Sequence, residues 1–146
     1  LIGCHKAAPY LTDSTNGKII NLSSASAIYG QSEVATYSAS KFFVRGLTEA
    51  LNVEYADMGI KVIDVMPLWV KSDMTKDIEV TSIDRLGINL TVDDVAKKLC
   101  KLSGCANRKI SKTHYPVGLP AKILHSTSQV TPDSVIRFIN KKIGAK

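Results

Sequence analysis

Tyr37 and Lys41 stand four residues apart in Thr36-Tyr37-Ser38-Ala39-Ser40-Lys41, and Ser24 lies thirteen residues before the tyrosine, at the end of an apolar run. On a helix, residues i and i+4 share a face. An ammonium beside a phenol favours the phenolate, and a phenol so tuned can give or take a proton at a carbonyl or carbinol carbon. A nearby serine hydroxyl can hold the substrate oxygen while charge develops on it. The pair alone is common. With five tyrosines in a lysine-rich chain, a chance Tyr-x-x-x-Lys is expected roughly every second chain of this composition. Its bland reading is a solvated lysine on a surface helix.

The elements around the pair set it apart. Asn16-Gly17 signals a turn, and residues 18–23 are mostly apolar, as in a parallel strand buried on both faces. Ser24 to Gln31 is a loop of small residues, which leaves room for a substrate above the strand ends, where open α/β sheets bind ligands. A helix is predicted over 34–58, stopped by Gly59, and a second buried strand over 60–66. The region 67–90 has no clean period. Thr91, followed by Asp93 and Asp94, reads as a helix start, and this helix continues to about Ser103. Residues 112–118 suggest a last short strand. Helices over 119–128 and 132–143 close the chain, with Pro132 as a start signal.

In this order the residues resemble the classical short-chain dehydrogenase/reductase family. The serine step of the family is matched by Asn21-Leu22-Ser23-Ser24-Ala25-Ser26, and its Tyr-x-x-x-Lys by Tyr37 and Lys41. Its usual Pro-Gly-aromatic-Val/Ile-x-Thr-x-Met is matched by Pro67-Leu68-Trp69-Val70-Lys71-Ser72-Asp73-Met74. The resemblance runs from about Leu1 to Thr75. It implies a doubly wound Rossmann-type α/β fold and an NAD- or NADP-dependent oxidoreductase that interconverts an alcohol and a ketone or aldehyde. It makes Tyr37 the acid/base, Lys41 its partner and a holder of the nicotinamide ribose, and Ser24 the group that orients the carbonyl. The family's spacing selects Ser24 over Ser23. Pro67, Val70 and Ser72 would touch the cofactor. Ser26 is open between a hydrogen bond to the substrate and a simple loop serine. Ser72 replaces the more frequent Thr and keeps its hydroxyl. Leu68 departs from the family's Gly, so the cofactor contact at that turn is expected to differ. Tyr29 and Trp69 are open between pocket and core.

The family's Gly-rich turn, which cradles the cofactor pyrophosphate at a helix N-terminus, has no counterpart in these 146 residues, nor does its Asn-Asn-Ala-Gly stretch. The expectation is therefore one domain over 1–146, the C-terminal half of the family's cofactor-binding domain. Residues 76–90 would be a substrate flap and 119–146 the C-terminal helices. The initial Leu favours a fragment over a natural truncation. The isolated chain is expected to be inactive, and the missing half hides the choice between NAD and NADP. The competing function is a non-catalytic remnant that acts as a binding or scaffold protein.

Composition excludes other classes. The chain is 45% apolar and contains no apolar run long enough for a membrane span. Cys4, Cys100 and Cys105 show no Cys-x-x-Cys and read as reduced thiols of a cytoplasmic protein. His5, His114 and His125 stand at non-ligand spacing, so no metal is expected. The charge of +6 is spread without an aromatic platform, against nucleic-acid binding. A basic cluster at Arg137, Lys141, Lys142 and Lys146 reads first as a solvated helix and second as a contact with an anionic membrane surface. Two largely apolar faces on the helix at 34–58 suggest two burials. One is the sheet. The other is a partner subunit, as the resemblance implies, making a homodimer or homotetramer, or else the missing half of the same chain.

Overall fold

The computed structural model describes residues 1–76, 79–106 and 109–144. Helix α1 (Ile2–Leu11) continues through Pro9 and leads into strand β1 (Lys18–Leu22). Helix α2 spans Ala35–Glu54 and strand β2 Lys61–Pro67. A short crossing segment follows, made of β3 (Val70–Lys71), α3 (Thr81–Leu86) and β4 (Leu90–Thr91). Helix α4 (Val92–Gly104), strand β5 (His114–Val117) and helices α5 (Leu119–Ser128) and α6 (Asp133–Gly144) complete the order. The main sheet is parallel, in the order β1-β2-β5, with Asn21 opposite Asp64 and Asp64 opposite His114. This is the α/β Rossmann-type arrangement expected. A separate two-stranded parallel ladder joins β3 to β4.

Alternation along β2 divides the core. Val62 faces α1 and α2 with Cys4, Ala8, Leu51 and Tyr55. Met66, two pairs of residues on, packs against Ala25, Ala27 and Ala121. Ile63 and Val65 point the other way, towards Leu102 of α4 and Ile110. Helices thus cover both faces, which is why β2 reads as a nearly unbroken apolar run. Among the described residues, β1 pairs with β2 on one side, and Leu22 at its end is 52% exposed.

Specific bonds fix the layers. The buried Thr48 of α2 accepts from Asn21 Nδ2 of β1 at 2.9 Å, and Asn52 Oδ1 accepts from Val62 N at 3.3 Å. On the opposite face, Lys18 donates to the carbonyls of Leu102 and Ser103 at the end of α4, where a cation also suits the helix dipole. Helix α4 starts as the sequence implies: Thr91 and Asp94 cap each other reciprocally.

Two differences from the sequence expectation have physical causes. Helix α2 ends at Glu54 rather than Met58, because Tyr55 leaves helical geometry and the chain turns through to Gly59, whose φ of 71° suits glycine. The flap expected over 76–90 contains the ordered helix α3. Ser82 anchors it, accepting from Trp69 Nε1 at 3.2 Å and from Gln31 Nε2. Glu33, at φ 68°, accepts from Thr81 N at 2.7 Å and fixes the start of α3. Residues 77 and 78 of that flap, 107 and 108 of the loop after α4, and Lys146 of the basic cluster lie outside the described residues.

The turn into β1 depends on Gly17. A Cβ there would stand 2.5 Å from the backbone oxygen of Leu11. Gly17→Ala is expected to cost about 1–3 kcal/mol, as overpacking does, read as a lower urea midpoint. An unchanged midpoint would show that the α1–β1 turn adapts.

Candidate active site

The strands β1 and β2 run in parallel and end together, so the chain leaves both at the same edge of the sheet. Ser23 N still bonds to Val65 O at 2.9 Å, and the polypeptide then breaks away from the ladder at Ser24. Ser24 is extended and its Oγ caps a short turn, accepting from Ser26 N at 3.2 Å and from Ser26 Oγ at 2.9 Å. The buried Ser23 instead donates to Lys41 O at 3.2 Å, which ties this step to α2.

The first turns of α2 present Tyr37 and Lys41 to the same space. Lys41 Nζ lies 5.5 Å from the centre of the Tyr37 ring and donates to Leu22 O at 3.1 Å. Burial lowers the Lys41 pKa below the ordinary lysine range, because the charged form loses solvation. Tyr37 is 37% exposed, at the mouth of the site.

All seven residues singled out from the sequence, Ser24, Ser26, Tyr37, Lys41, Pro67, Val70 and Ser72, line one cavity of about 460 Å³. Thr75 Oγ1 donates to Val70 O at 2.9 Å and accepts from Ser72 N at 3.2 Å, so the turn after β3 holds itself. Trp69 also lines the cavity, whereas Tyr29 belongs to the core, where burial raises its pKa. The sequence did not mark the opposite wall, formed by Val92, Val95 and Leu99 of α4 together with Gln31. The amphipathic α4 was legible as a helix, but its seat over the site is a tertiary contact with no local signal.

Sequence spacing also hid a charged cluster behind α2. His114 of β5 bonds through Nδ1 to Asp64 Oδ1 at 3.0 Å and through Nε2 to Glu49 Oε1 at 2.7 Å. Arg45 stands 3.8 Å from the same Glu49 oxygen and donates to Ala27 O at 2.8 Å, just past the Ser24 step. Asp64 is 0% exposed. The His125 ring of α5 lies 5.9 Å from that of His114. Burial opposes protonation of His114, but the hydrogen bonds and charge of Asp64, with help from Glu49, outweigh it and raise its pKa. Burial, then the nearby Arg45 and His114, lowers that of His125.

These features meet the comparisons with known proteins. The short chain dehydrogenase family model matches residues 1–82. This chain belongs to the short-chain dehydrogenase family. It is 32% identical over 82 residues to a cyclohexanol dehydrogenase of Acinetobacter sp. (strain SE19), covering 56% of this chain and 33% of that one. It is 40% identical over 68 residues to a very-long-chain 3-oxoacyl-CoA reductase of Anas platyrhynchos, covering 47% and 22%. Among solved structures, a short chain dehydrogenase from Burkholderia cenocepacia J2315 in complex with NADP matches with a TM-score of 0.69 at 23% identity, over 93% of this chain and 50% of that chain. The chain thus spans half of that structure and a third or less of those two curated relatives.

The His114 cluster gives a pH signature. Its folded-state pKa is raised, so its contribution to stability is full below about pH 6.5, the unfolded value, and fades as pH rises through the folded value. His114→Gln is expected to lower the urea midpoint more at pH 6 than at pH 9. Equal losses at both would contradict the assignment.

Proposed function

We propose that the complete protein is an NAD- or NADP-dependent oxidoreductase that interconverts an alcohol and a ketone or aldehyde, with Ser24, Tyr37 and Lys41 as its working groups. The observation that carries this reading is the convergence of those three side chains on one largely apolar cavity at the sheet edge. In the reducing direction, the Tyr37 hydroxyl gives its proton to the carbonyl oxygen. Ser24 holds that oxygen by a hydrogen bond, and Ser26, already bonded to Ser24, keeps the serine oriented. Lys41 brings its amine to 5.5 Å from the centre of the Tyr37 ring. Val95 and Leu99 of α4 add apolar surface to the cavity.

The residues fit the nicotinamide end of the cofactor. Lys41 supplies a cation for a ribose hydroxyl, and Pro67, Val70 and Ser72 form the adjoining rim. When bound, that group supplies or accepts the hydride. The pyrophosphate end has no cradle in this sequence, which holds no Gly-x-x-x-Gly-x-Gly. The reading proposed for residues 1–146 is the C-terminal half of the cofactor domain, and this chain covers half the length of the NADP-bound Burkholderia chain. The names of the relatives suggest a carbonyl on an apolar skeleton, a cyclic alcohol or an acyl chain. A remnant that only binds has no need to keep Ser24, Tyr37 and Lys41 on one cavity.

Tyr37→Phe in the complete protein is expected to lower turnover about 10²–10⁴-fold, the range of a general acid–base group, with cofactor affinity nearly intact. Retention of more than about half the activity would reject the role.

The exposed apolar side of α2 supports a homodimer or homotetramer. Phe43 is 59% exposed, and Ala50 and Val53 continue its strip. Leu47, also on α2, is partly packed against the core. Phe43→Glu is expected to dissociate the assembly in sedimentation velocity. A monomeric wild type would contradict the interface.

A further inference from the structure

A second cavity opens beside the first. It is a groove of about 640 Å³ between the loop at Gly30–Ser32, the first turns of α2 and helix α6. Its size is that of a small-molecule site. The floor is apolar, made by Ala35, Ala39 and Phe42. One wall carries Arg137 and Lys141, one turn apart on α6, and none of the lining residues is acidic. The third polar group on that wall, Asn140, is held by its Nδ2 on Gly30 O, while its buried Oδ1 has no hydrogen-bond partner. Gln31 lines both cavities, so the groove and the Tyr37 cavity share a wall. Two cations above an apolar floor complement a molecule with an apolar stem and an anionic end. Arg137 and Lys141 are exposed where they edge the groove, so an anion paired with them keeps contact with solvent.

We propose that this groove binds the carboxylate end of an apolar acid. Arg137 and Lys141 pair with the carboxylate, and Phe42 packs on the stem. This binding does not depend on the acid/base reading of Tyr37.

Calorimetric titration of the full chain with decanoate tests it, with decanol as the uncharged control. Decanoate is expected to bind saturably, one per chain, and more tightly than decanol. Raising ionic strength from about 0.05 M to about 0.5 M should weaken decanoate and spare decanol. Arg137→Gln with Lys141→Gln should weaken decanoate about fivefold or more, the effect of losing two partly exposed ion pairs. Arg137→Lys with Lys141→Arg keeps both charges and should retain binding. Tyr37→Phe should leave decanoate affinity unchanged, which separates a failure of the groove from a failure of the catalytic reading. Equal affinity for decanoate and decanol, a double Gln variant that binds as wild type, or retention by phosphatidylglycerol vesicles without decanoate binding would each overturn the proposal.

Discussion

The site depends on the parallel pairing of β1 with β2. Because the register aligns Leu22 with Val65, and Ser23 N extends the ladder by one more bond, both strands stop at one edge. Ser24 and Pro67 emerge there side by side, and the Ser24 hydroxyl lies 3.5 Å from Pro67 O. Parallel strands require a long crossover, and α2 is that crossover. Its first turns must pass over the strand ends, which brings Tyr37 and Lys41 to the serine. The grouping of these side chains is therefore a consequence of strand register.

Keeping α2 at a fixed height over the sheet requires polar contacts as well as packing. Asn21 with Thr48 and Asn52 with Val62 act near the middle and end of the helix. The Arg45–Glu49–His114–Asp64 chain links the helix to β5 and β2, and through Arg45 to the carbonyl of Ala27. A carboxylate buried at 0% exposure is expensive unless it is paired, and the imidazole of His114 provides the pairing. Asp64 is the one break in the apolar run of β2, and the chain spends it on orientation.

Much of this was legible in the sequence, for identifiable reasons. Strands β1 and β2, the small-residue loop, α2 and the Thr91 cap carry local signals: apolar runs, Gly17 and Gly59, and a hydroxyl ahead of two acids. The seven candidate residues stand in motifs, and the structure brings them to the lining of one cavity. What the sequence concealed depends on residues distant in the chain. His114 meets Asp64 and Glu49 from fifty and sixty-five positions away, so histidine spacing could not reveal it. Ser82 anchors α3 through Gln31 and Trp69, and nothing in the aperiodic 67–90 stretch announces it. The basic residues of α6 read as a solvated face, and Arg137, Lys141 and Lys142 are exposed; the groove that Arg137 and Lys141 edge joins residues about a hundred positions apart and has no local signal.

The central claim is that this cavity places a carbonyl carbon for hydride transfer. The most direct measurement uses the complete protein with cofactor deuterated at the nicotinamide C4, incubated with cyclohexanone or with a 3-oxoacyl thioester, followed by mass spectrometry of the product alcohol. The account predicts deuterium on the carbinol carbon of at least one of these products. Binding of cofactor and ketone with no deuterium transferred to either product would contradict it.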